Sequence, residues 1–187
     1  MLHSRKLIMA AIAAVAFTIA FPAARAQMDP EVGGAPMFAT KNIVENAMNS
    51  KDHTTLVAAV KAAGLVDTLQ GAGPFTVFAP TNEAFEKLPA GTVDTLLKPE
   101  NKDMLTKVLT YHVVAGRISA SDLEKKIKAG HGKAELKTVQ GETLTATWMT
   151  DKIMLTDEKG NMATVTIPDV YQSNGVIHVV DTVLMPN

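Results

Sequence analysis

Histidines are the side chains in this sequence best suited to acid–base or metal chemistry, and four follow the N-terminal segment: His53, His112, His131 and His178. No two stand four residues apart and none forms a His-x-His pair, the spacings that bring two imidazoles to one metal ion. The chain has no cysteine and no Gly-x-Ser-x-Gly motif for an activated serine. Its carboxylates are spread over separate segments instead of paired. These patterns predict a protein that is not an enzyme, with no catalytic, cofactor-binding or metal-binding residues.

His178 lies in the valine-rich segment SNGVIHVVDTVLMP, residues 173–186. Side chains alternate between the two faces of a strand, so His178 shares a face with Val176 and Val180. An imidazole there can be a metal ligand, a catalytic base or a hydrogen-bonded core residue. The lack of partner histidines favours the core residue, because a buried ring is tolerated when both nitrogens are hydrogen-bonded. We expect His178 to tie the last strand to the region of Thr81 and Asn82.

The N-terminus predicts a cleavable signal peptide over residues 1–26. A basic start, MLHSRK, precedes an apolar run and the small-x-small site Ala24-Arg25-Ala26. The run is shorter than the ~20 residues of a spanning helix, so we expect cleavage after Ala26, no membrane span afterwards, and a secreted or periplasmic bacterial protein. The Gly/Pro-rich residues 27–38 predict a flexible leader, and residues 39–187 one domain.

The charge and the length of the chain further restrict the class of protein and its partners. Removing Arg5, Lys6 and Arg25 with the signal changes the formal charge from -1 to -4 and leaves 161 of 187 residues. A mildly acidic chain without a basic stripe argues against nucleic acid as a partner. The remaining length suits a single domain with a substantial core.

Helical periodicity dominates the first half of the domain and strand alternation the second. The segments after residue 42 repeat apolar residues at helical spacing, whereas those after Tyr111 alternate apolar residues with threonines and are separated by Gly, Asn and Asp turns. This order predicts an α+β domain whose sheet has one face inside and one in water.

Three segments resemble the fasciclin domain family. GPFTVFAPTNEAFEKLP (73–89) is similar to its first signature, YHVVAGRI (111–118) to its Tyr-His segment, and SNGVIHVVDTVLMP to its second signature. Their order and spacing match over about residues 38–186, and the chain resembles the single-domain secreted bacterial members. The signature positions that we expect to be structural are Thr81, Asn82, Asn174, Gly175, His178 and Asp181. For Asn174-Gly175 we expect a turn with positive φ.

The resemblance implies a wedge-shaped β-sandwich with flanking helices. It also implies a non-catalytic adhesion or interaction module, without a cofactor, that binds an envelope, matrix or host protein or glycan. In animal members the Tyr-His segment and an Asp-Ile pair are implicated in integrin contacts. Tyr111, His112, Asp169 and Val170 occupy those positions, which makes them candidate partner-binding residues. The alternative for Tyr111-His112 is a ring that covers the core edge and a histidine that pins a helix-to-strand corner.

A second class of function is a carrier of an apolar small ligand such as a carotenoid or lipid. Some fasciclin-like proteins bind carotenoids, and methionine-rich apolar surfaces suit loosely specified ligands. Trp148, Met149, Ile153 and Met154 lie on neighbouring predicted strands and motivate this alternative.

Overall fold

A computed structural model describes residues 29–187. The predicted signal peptide and its cleavage after Ala26 lie outside the described residues. Seven α-helices are formed by the described part of the chain, most of them in its first half: α1 Ile43–Ala47, α2 Thr54–Ala63, α3 Val66–Gln70, α4 Asn82–Glu86, α5 Thr92–Leu96, α6 Lys102–Tyr111 and α7 Ala120–Ala129. Two short 3₁₀ turns, Lys51–His53 and Pro99–Asn101, precede α2 and α6.

Nine strands accompany these helices within residues 29–187: β1 Glu31–Val32, β2 Ala35–Pro36, β3 Phe75–Pro80, β4 Val113–Ala115, β5 Lys133–Lys137, β6 Thr143–Met149, β7 Lys152–Thr156, β8 Met162–Gln172 and β9 Gly175–Val180. β1 and β2 form a hairpin, and the other strands form one sheet in the order β4-β3-β9-β8-β7-β6-β5. An isolated bridge joins Val114 at one edge to Thr138 beyond the other. The sheet therefore curls until its edges meet, and the predicted α+β class with helices mainly in the first half is confirmed.

The central strands β3 and β9 are parallel neighbours and are buried on both faces. Val77 and Val179 belong to a core shared with the helices of the first half. Phe78 and Val180 belong to a second core shared with α7 and strands β5 to β8. The predicted alternation along the last strand therefore places His178 inside the second core.

Strands β5 to β8 have one inner and one outer face, as the threonine alternation predicts. Leu144 and Ala146 on β6 are fully buried, while Thr143, Thr145 and Thr147, which alternate with them, are half-buried. The outer face carries polar side chains and the methionines of β6, β7 and β8. No helix within residues 29–187 is long and apolar enough to cross a bilayer.

The prediction of a flexible leader is wrong for residues 29–38. Glu31–Val32 pairs with Ala35–Pro36 around Gly33 and Gly34, which both have positive φ. Val32 and Met37 are only 3% and 2% exposed and join the first core. The Gly/Pro composition indicated a turn, and the two apolar residues that flank this turn supply enough buried surface to hold it against the domain.

Candidate functional site

His178 is fully buried and links three segments through its ring. We call a buried residue that links segments through hydrogen bonds in this way a joint. Its Nδ1 accepts a hydrogen bond from the backbone N–H of Asp169 at 3.2 Å, so its Nε2 carries the proton and donates to the carbonyl of Ile118 at 2.9 Å. The ring also stacks on Phe78 at a centroid distance of 5.6 Å. Burial lowers the pKa of His178, against smaller opposing effects of the Ile118 carbonyl and the Asp169 carboxylate. The predicted burial with both nitrogens bonded is confirmed.

The partners of His178 differ from those expected, because Thr81 and Asn82 bond elsewhere. The Thr81 hydroxyl accepts from Ala84 N at 3.3 Å and caps α4. Asn82 Oδ1 accepts from Thr55 N at 3.0 Å, and its amide donates to the carbonyl of Lys51 at 2.8 Å. These two signature residues therefore tie the end of β3 to α4 and to the start of α2.

The other signature residues also build the scaffold. Asn174 Oδ1 accepts from Ile43 N at 3.0 Å, and its amide donates to the carbonyls of Leu69 and Gly71 at 2.7 and 3.0 Å. Asp181 Oδ1 accepts from Thr164 N at 2.8 Å. The expectation of positive φ at Asn174-Gly175 is wrong, since neither residue has it. Gly175 is required for close packing instead, because an added Cβ would collide with the carbonyl of Phe75.

Tyr111 and His112 form a second buried joint at the end of α6. The Tyr111 hydroxyl donates to the carbonyl of Thr143 at 3.0 Å, and burial raises the pKa of Tyr111 to about 12. His112 Nδ1 donates to the carbonyl of Val108 at 2.9 Å, while Nε2 accepts from Leu184 N at 3.0 Å. Burial lowers the pKa of His112. His112 and His178 are thus both neutral and adopt opposite tautomers, with the proton on Nδ1 in His112 and on Nε2 in His178.

Three of the four candidate partner-binding residues cannot present their side chains to a partner. Tyr111 and Val170 are 0% exposed and His112 is 2% exposed. The expectation of a surface patch is wrong for these three, because each side chain completes one of the two cores or a buried hydrogen bond. The alternative for Tyr111-His112, a covering ring and a pinning histidine, agrees with the structure.

Asp169 is the fourth candidate, and it reaches the surface. It lies in a stretch of β8 where the pairing with β9 shifts register twice, and its φ is 57°. Its Oδ1 accepts from Ala120 N at the start of α7 at 2.8 Å, while its own N–H binds His178. The irregular stretch thereby turns Asp169 outward and fixes it from two sides.

An open cleft of about 560 Å³ lies beside Asp169. We call it the Asp169 cleft; its lining is Asp29, Pro30, Met37, Ala39, Arg117, Asp169, Tyr171, Gln172 and Ser173. Arg117 is exposed, and its Nη2 donates to the carbonyls of Gln172 and Ser173 at 2.9 and 3.3 Å. The pKa of Tyr171 is raised by burial and by the carboxylates of Asp169 and Asp122. The cleft thus combines a cation, carboxylates and an aromatic ring, which are the parts of a recognition surface.

Sequence reasoning missed Arg117 and Tyr171 as functional candidates. Neither belongs to a metal, nucleophile or phosphate motif, and they stand 54 positions apart in the chain. The available signal was proximity to other candidates, since Tyr171 follows Asp169-Val170 and Arg117 lies within the Tyr-His segment. Within residues 29–187 no group of three or more His, Asp or Glu side chains is placed to hold a metal ion.

The residues that motivated an apolar carrier do not form a groove. Ile153 on β7 is buried and faces the second core. Trp148 is its pairing partner on β6, so both side chains lie on the inner face of the sheet. Met149 and Met154 point to the outer face of the sheet, in the alternation described above. Trp148 and Met149 are 44% and 53% exposed beside the turn between β6 and β7. The four side chains are divided between two faces, so they cannot line one ligand site.

Two apolar cavities lie elsewhere, beneath the helices. One, of about 40 Å³, is enclosed by α1, α2, α3, α6 and β3. The second, of about 20 Å³, lies under the β1–β2 hairpin, and His53 is its one ionisable lining residue. Each has room for little more than one or two water molecules.

Comparison with known proteins identifies the relatives of this chain. The family model "Fasciclin domain" matches residues 51–186. The chain is similar to Protein sll1483 of Synechocystis, with 52% identity over 144 residues, covering 77% of this chain and 73% of that protein. It is also similar to the cell surface glycolipoprotein MPB83 of Mycobacterium bovis, with 38% identity over 159 residues that cover 82% of this chain and 64% of the relative.

A solved structure shows the same fold. It contains a FAS1 domain pair from the insect cell adhesion molecule Fasciclin I, and it matches with a TM-score of 0.68 at 19% identity. The match covers 78% of this chain and about half, 51%, of that two-domain chain.

Proposed function

The chain belongs to the fasciclin domain family, and from this premise we propose that it is an exported, non-catalytic interaction module that binds a protein or glycan of the envelope, matrix or host surface. The contact surface in this proposal is the Asp169 cleft. One observation carries it: Asp169 is the candidate partner residue that reaches the surface, and it does so beside Arg117 and Tyr171.

The chemistry of the cleft suits recognition of a polar partner. A tyrosine ring offers a flat face for a sugar or a peptide side chain, and a carboxylate accepts hydrogen bonds from hydroxyl or amide groups. The exposed guanidinium of Arg117 still has N–H groups directed away from the two carbonyls that position it. The cleft volume, about 560 Å³, lies within the range of known ligand sites.

The buried joints support this proposal by making the cleft rigid. Asp169 is held from behind by His178 and from the side by Ala120. A contact surface fixed before binding loses less conformational entropy when the partner arrives. Export with cleavage after Ala26, to the periplasm or the exterior, is part of the same proposal. The relative MPB83 is named a cell surface glycolipoprotein, which supports an exterior role.

Substitutions in the cleft test the proposal. Tyr171→Ala and Arg117→Gln should each weaken binding of the mature protein to glycan arrays or to intact cells of its source by about tenfold or more, which corresponds to about 1.4 kcal/mol. Trp148→Ala is the matched control, because Trp148 is an exposed aromatic residue outside the cleft. Equal binding by the wild type and both cleft variants would remove the cleft as the contact surface.

An apolar-ligand carrier is the second candidate, favoured by the lining of the two cavities beneath the helices. Their volumes, about 40 and 20 Å³, are far below the roughly 300 Å³ of a small-molecule site. A carotenoid or lipid would therefore enter only if α1 and α2 moved away from β3. Solvent extraction of protein purified from its native source tests this candidate. Visible absorbance or bound lipid in the extract supports a carrier, and an extract without either excludes this function.

A further inference from the structure

The β1–β2 hairpin forms one wall of the Asp169 cleft, yet it precedes the matched family segment. The family model begins at residue 51, whereas the hairpin and its flanks contribute Asp29, Pro30, Met37 and Ala39 to the cleft. The opposite wall, with Arg117 and Tyr171, belongs to the domain itself. The shape of the cleft therefore depends on whether this appended hairpin is docked.

The hairpin docks through its turn and through two apolar side chains. The carbonyl of Gly33 accepts a hydrogen bond from Lys51 N at 3.2 Å. Gly33 packs so closely that an added Cβ would lie 2.7 Å from Asp52 N and would also collide with Ser50 Oγ. Val32 and Met37 fill the space beneath. The docking site of the turn is thus the short segment Ser50–His53.

His53 lies directly under this contact and is incompletely bonded. It is 3% exposed, and its Nδ1 is paired with Ser50 Oγ at 2.9 Å. Its Nε2 has no hydrogen-bond partner, and within residues 29–187 it is the one buried side-chain nitrogen or oxygen in that condition. The ring lines the 20 Å³ cavity, whose other lining residues are apolar side chains from the hairpin, α1, α2, β3, β8 and β9.

We propose that the hairpin is a proton-operated wall of the Asp169 cleft: when His53 takes up a proton, the hairpin undocks, the cleft loses one side, and a bound partner is released. This inference deepens the function proposed above and rests on it for the last step. Protonation places a positive charge on a ring that is 3% exposed and is surrounded by the apolar side chains of the cavity, which is costly. Undocking the hairpin admits water to that nitrogen and removes the cost.

The electrostatics of His53 agree with this direction. Burial lowers its pKa, and the nearby Ala79 carbonyl and the Asp52 carboxylate oppose the shift only in part. Asp52 is the charged group that acts on the ring, since the elements packed around it present apolar side chains. The docked state therefore binds fewer protons than the open state below pH 6.5, so acid favours the open state.

The hairpin is the element that can respond, because it is small. Each of its strands has two residues, and it is held by the Lys51–Gly33 backbone bond, by the buried side chains of Val32 and Met37, and by two hydrogen bonds between Phe38 and the side chain of Asn46. His112 and His178, in contrast, have both ring nitrogens hydrogen-bonded to backbone groups. We therefore expect opening at the hairpin to cost less than opening at either of those joints.

Native-state amide exchange of the mature protein at pH 7.5 and 5.5 tests this inference without any partner. After correction for the intrinsic pH dependence, protection of the Lys51 and Met37 amides should fall by about tenfold at pH 5.5, one unit below the usual pKa of histidine. The Phe78 amide, which donates to the His112 carbonyl at 2.9 Å in the core, is the internal reference and should remain more protected. In His53→Leu, a neutral side chain fills the site, and the fall at Lys51 and Met37 should disappear.

Each outcome decides the question. Unchanged protection of the hairpin in the wild type, or an equal fall in wild type and His53→Leu, overturns the inference. Should His53→Leu not fold, His53→Gln replaces it as a neutral polar variant with the same expectation. Because exchange reports docking alone, an acid-labile hairpin combined with normal binding by Tyr171→Ala would refute the proposed cleft function and leave the proton-operated hairpin standing.

Discussion

The buried joints and the Asp169 cleft differ in what their residues bond to. His112 and His178 use every ring nitrogen on backbone groups, and neither is accessible. Arg117 and Tyr171 keep part of their polar or aromatic surface open to solvent. The difference teaches that most of the signature residues of this chain join segments, whereas the groups available to a partner are a few residues inside or beside the signature segments.

Asp169 connects the two regions. Its backbone N–H belongs to the His178 joint, and its side chain belongs to the cleft. A change in the joint should therefore reach the cleft through Asp169, whereas a change at Arg117 or Tyr171 should leave the joint intact. The following predictions test this asymmetry.

The largest expected effect is that of His178→Ala. It leaves Asp169 N and the Ile118 carbonyl unpaired and removes the ring stacked on Phe78, which together should lower the free energy of unfolding by about 3–5 kcal/mol. Chemical denaturation measures the change. His131→Asn is the control, since His131 is exposed with φ of 56°, a conformation that asparagine tolerates, and should cost less than about 0.5 kcal/mol. Similar midpoints for the two variants would mean that His178 is not a structural joint.

Acid should weaken the two buried histidine joints. Burial lowers the pKa values of His112 and His178, so the folded state takes up fewer protons than the unfolded chain below pH 6.5. Their contribution to stability is complete above pH 6.5 and is lost as the pH falls toward their lowered pKa values. Urea titrations at pH 7.5, 6.5 and 5.5 should show a decrease of up to about 1.4 kcal/mol per histidine over the last unit. A constant free energy of unfolding across this range would contradict the neutral, buried state of both rings.

The two tyrosines of the chain provide a matched pair with a smaller effect. Tyr111→Phe leaves the Thr143 carbonyl without its donor and should cost about 1 kcal/mol of stability, with partner binding unchanged. Tyr171→Phe should leave stability within about 0.5 kcal/mol of the wild type and alter binding alone. Denaturation and binding are measured in parallel on both variants. If Tyr111→Phe and Tyr171→Phe changed the same property, stability or binding, the distinction between joint and cleft would be contradicted.

The smallest expected effect on stability is that of Arg117→Gln. The guanidinium bonds two carbonyls at the surface, where water can replace it, so the loss should be under about 1 kcal/mol. A thermal melt compared with that of Tyr111→Phe checks this ranking. A larger loss than that of Tyr111→Phe would assign Arg117 to the scaffold and not to the cleft.

The sequence predicts the burial of His178 because alternation with two valines is a local pattern, readable within five residues. It does not predict the partners of that ring, because Ile118 lies 60 positions away and contributes only a carbonyl, which every residue has. The sequence does not predict the role of Gly175 for the same reason. A glycine is required there because the backbone of Phe75 lies close to it, and that contact exists only because β3 pairs with β9.

The sequence does not predict the hairpin or the Asp169 cleft, for a related reason. Residues 27–38 contain too few apolar positions to show a period, so composition dominated the prediction, although two of those positions complete the first core. The cleft is assembled from the hairpin, the loop before α7 and the end of β8. Surface concavity of this kind depends on tertiary placement, and single residue types such as Arg and Tyr carry no mark of it in a sequence.

The parallel pairing of β3 with β9 also has a consequence for when the molecule can form. Residues 75–80 find their neighbours in residues 175–180, about a hundred positions later, and the sheet has no centre until both are present. Such distant closure is slow, because the entropy lost in bringing the two strands together must be overcome before their contacts form. In a chain that emerges amino terminus first, β3 would therefore lack its central neighbour until residues 175–180 had also emerged.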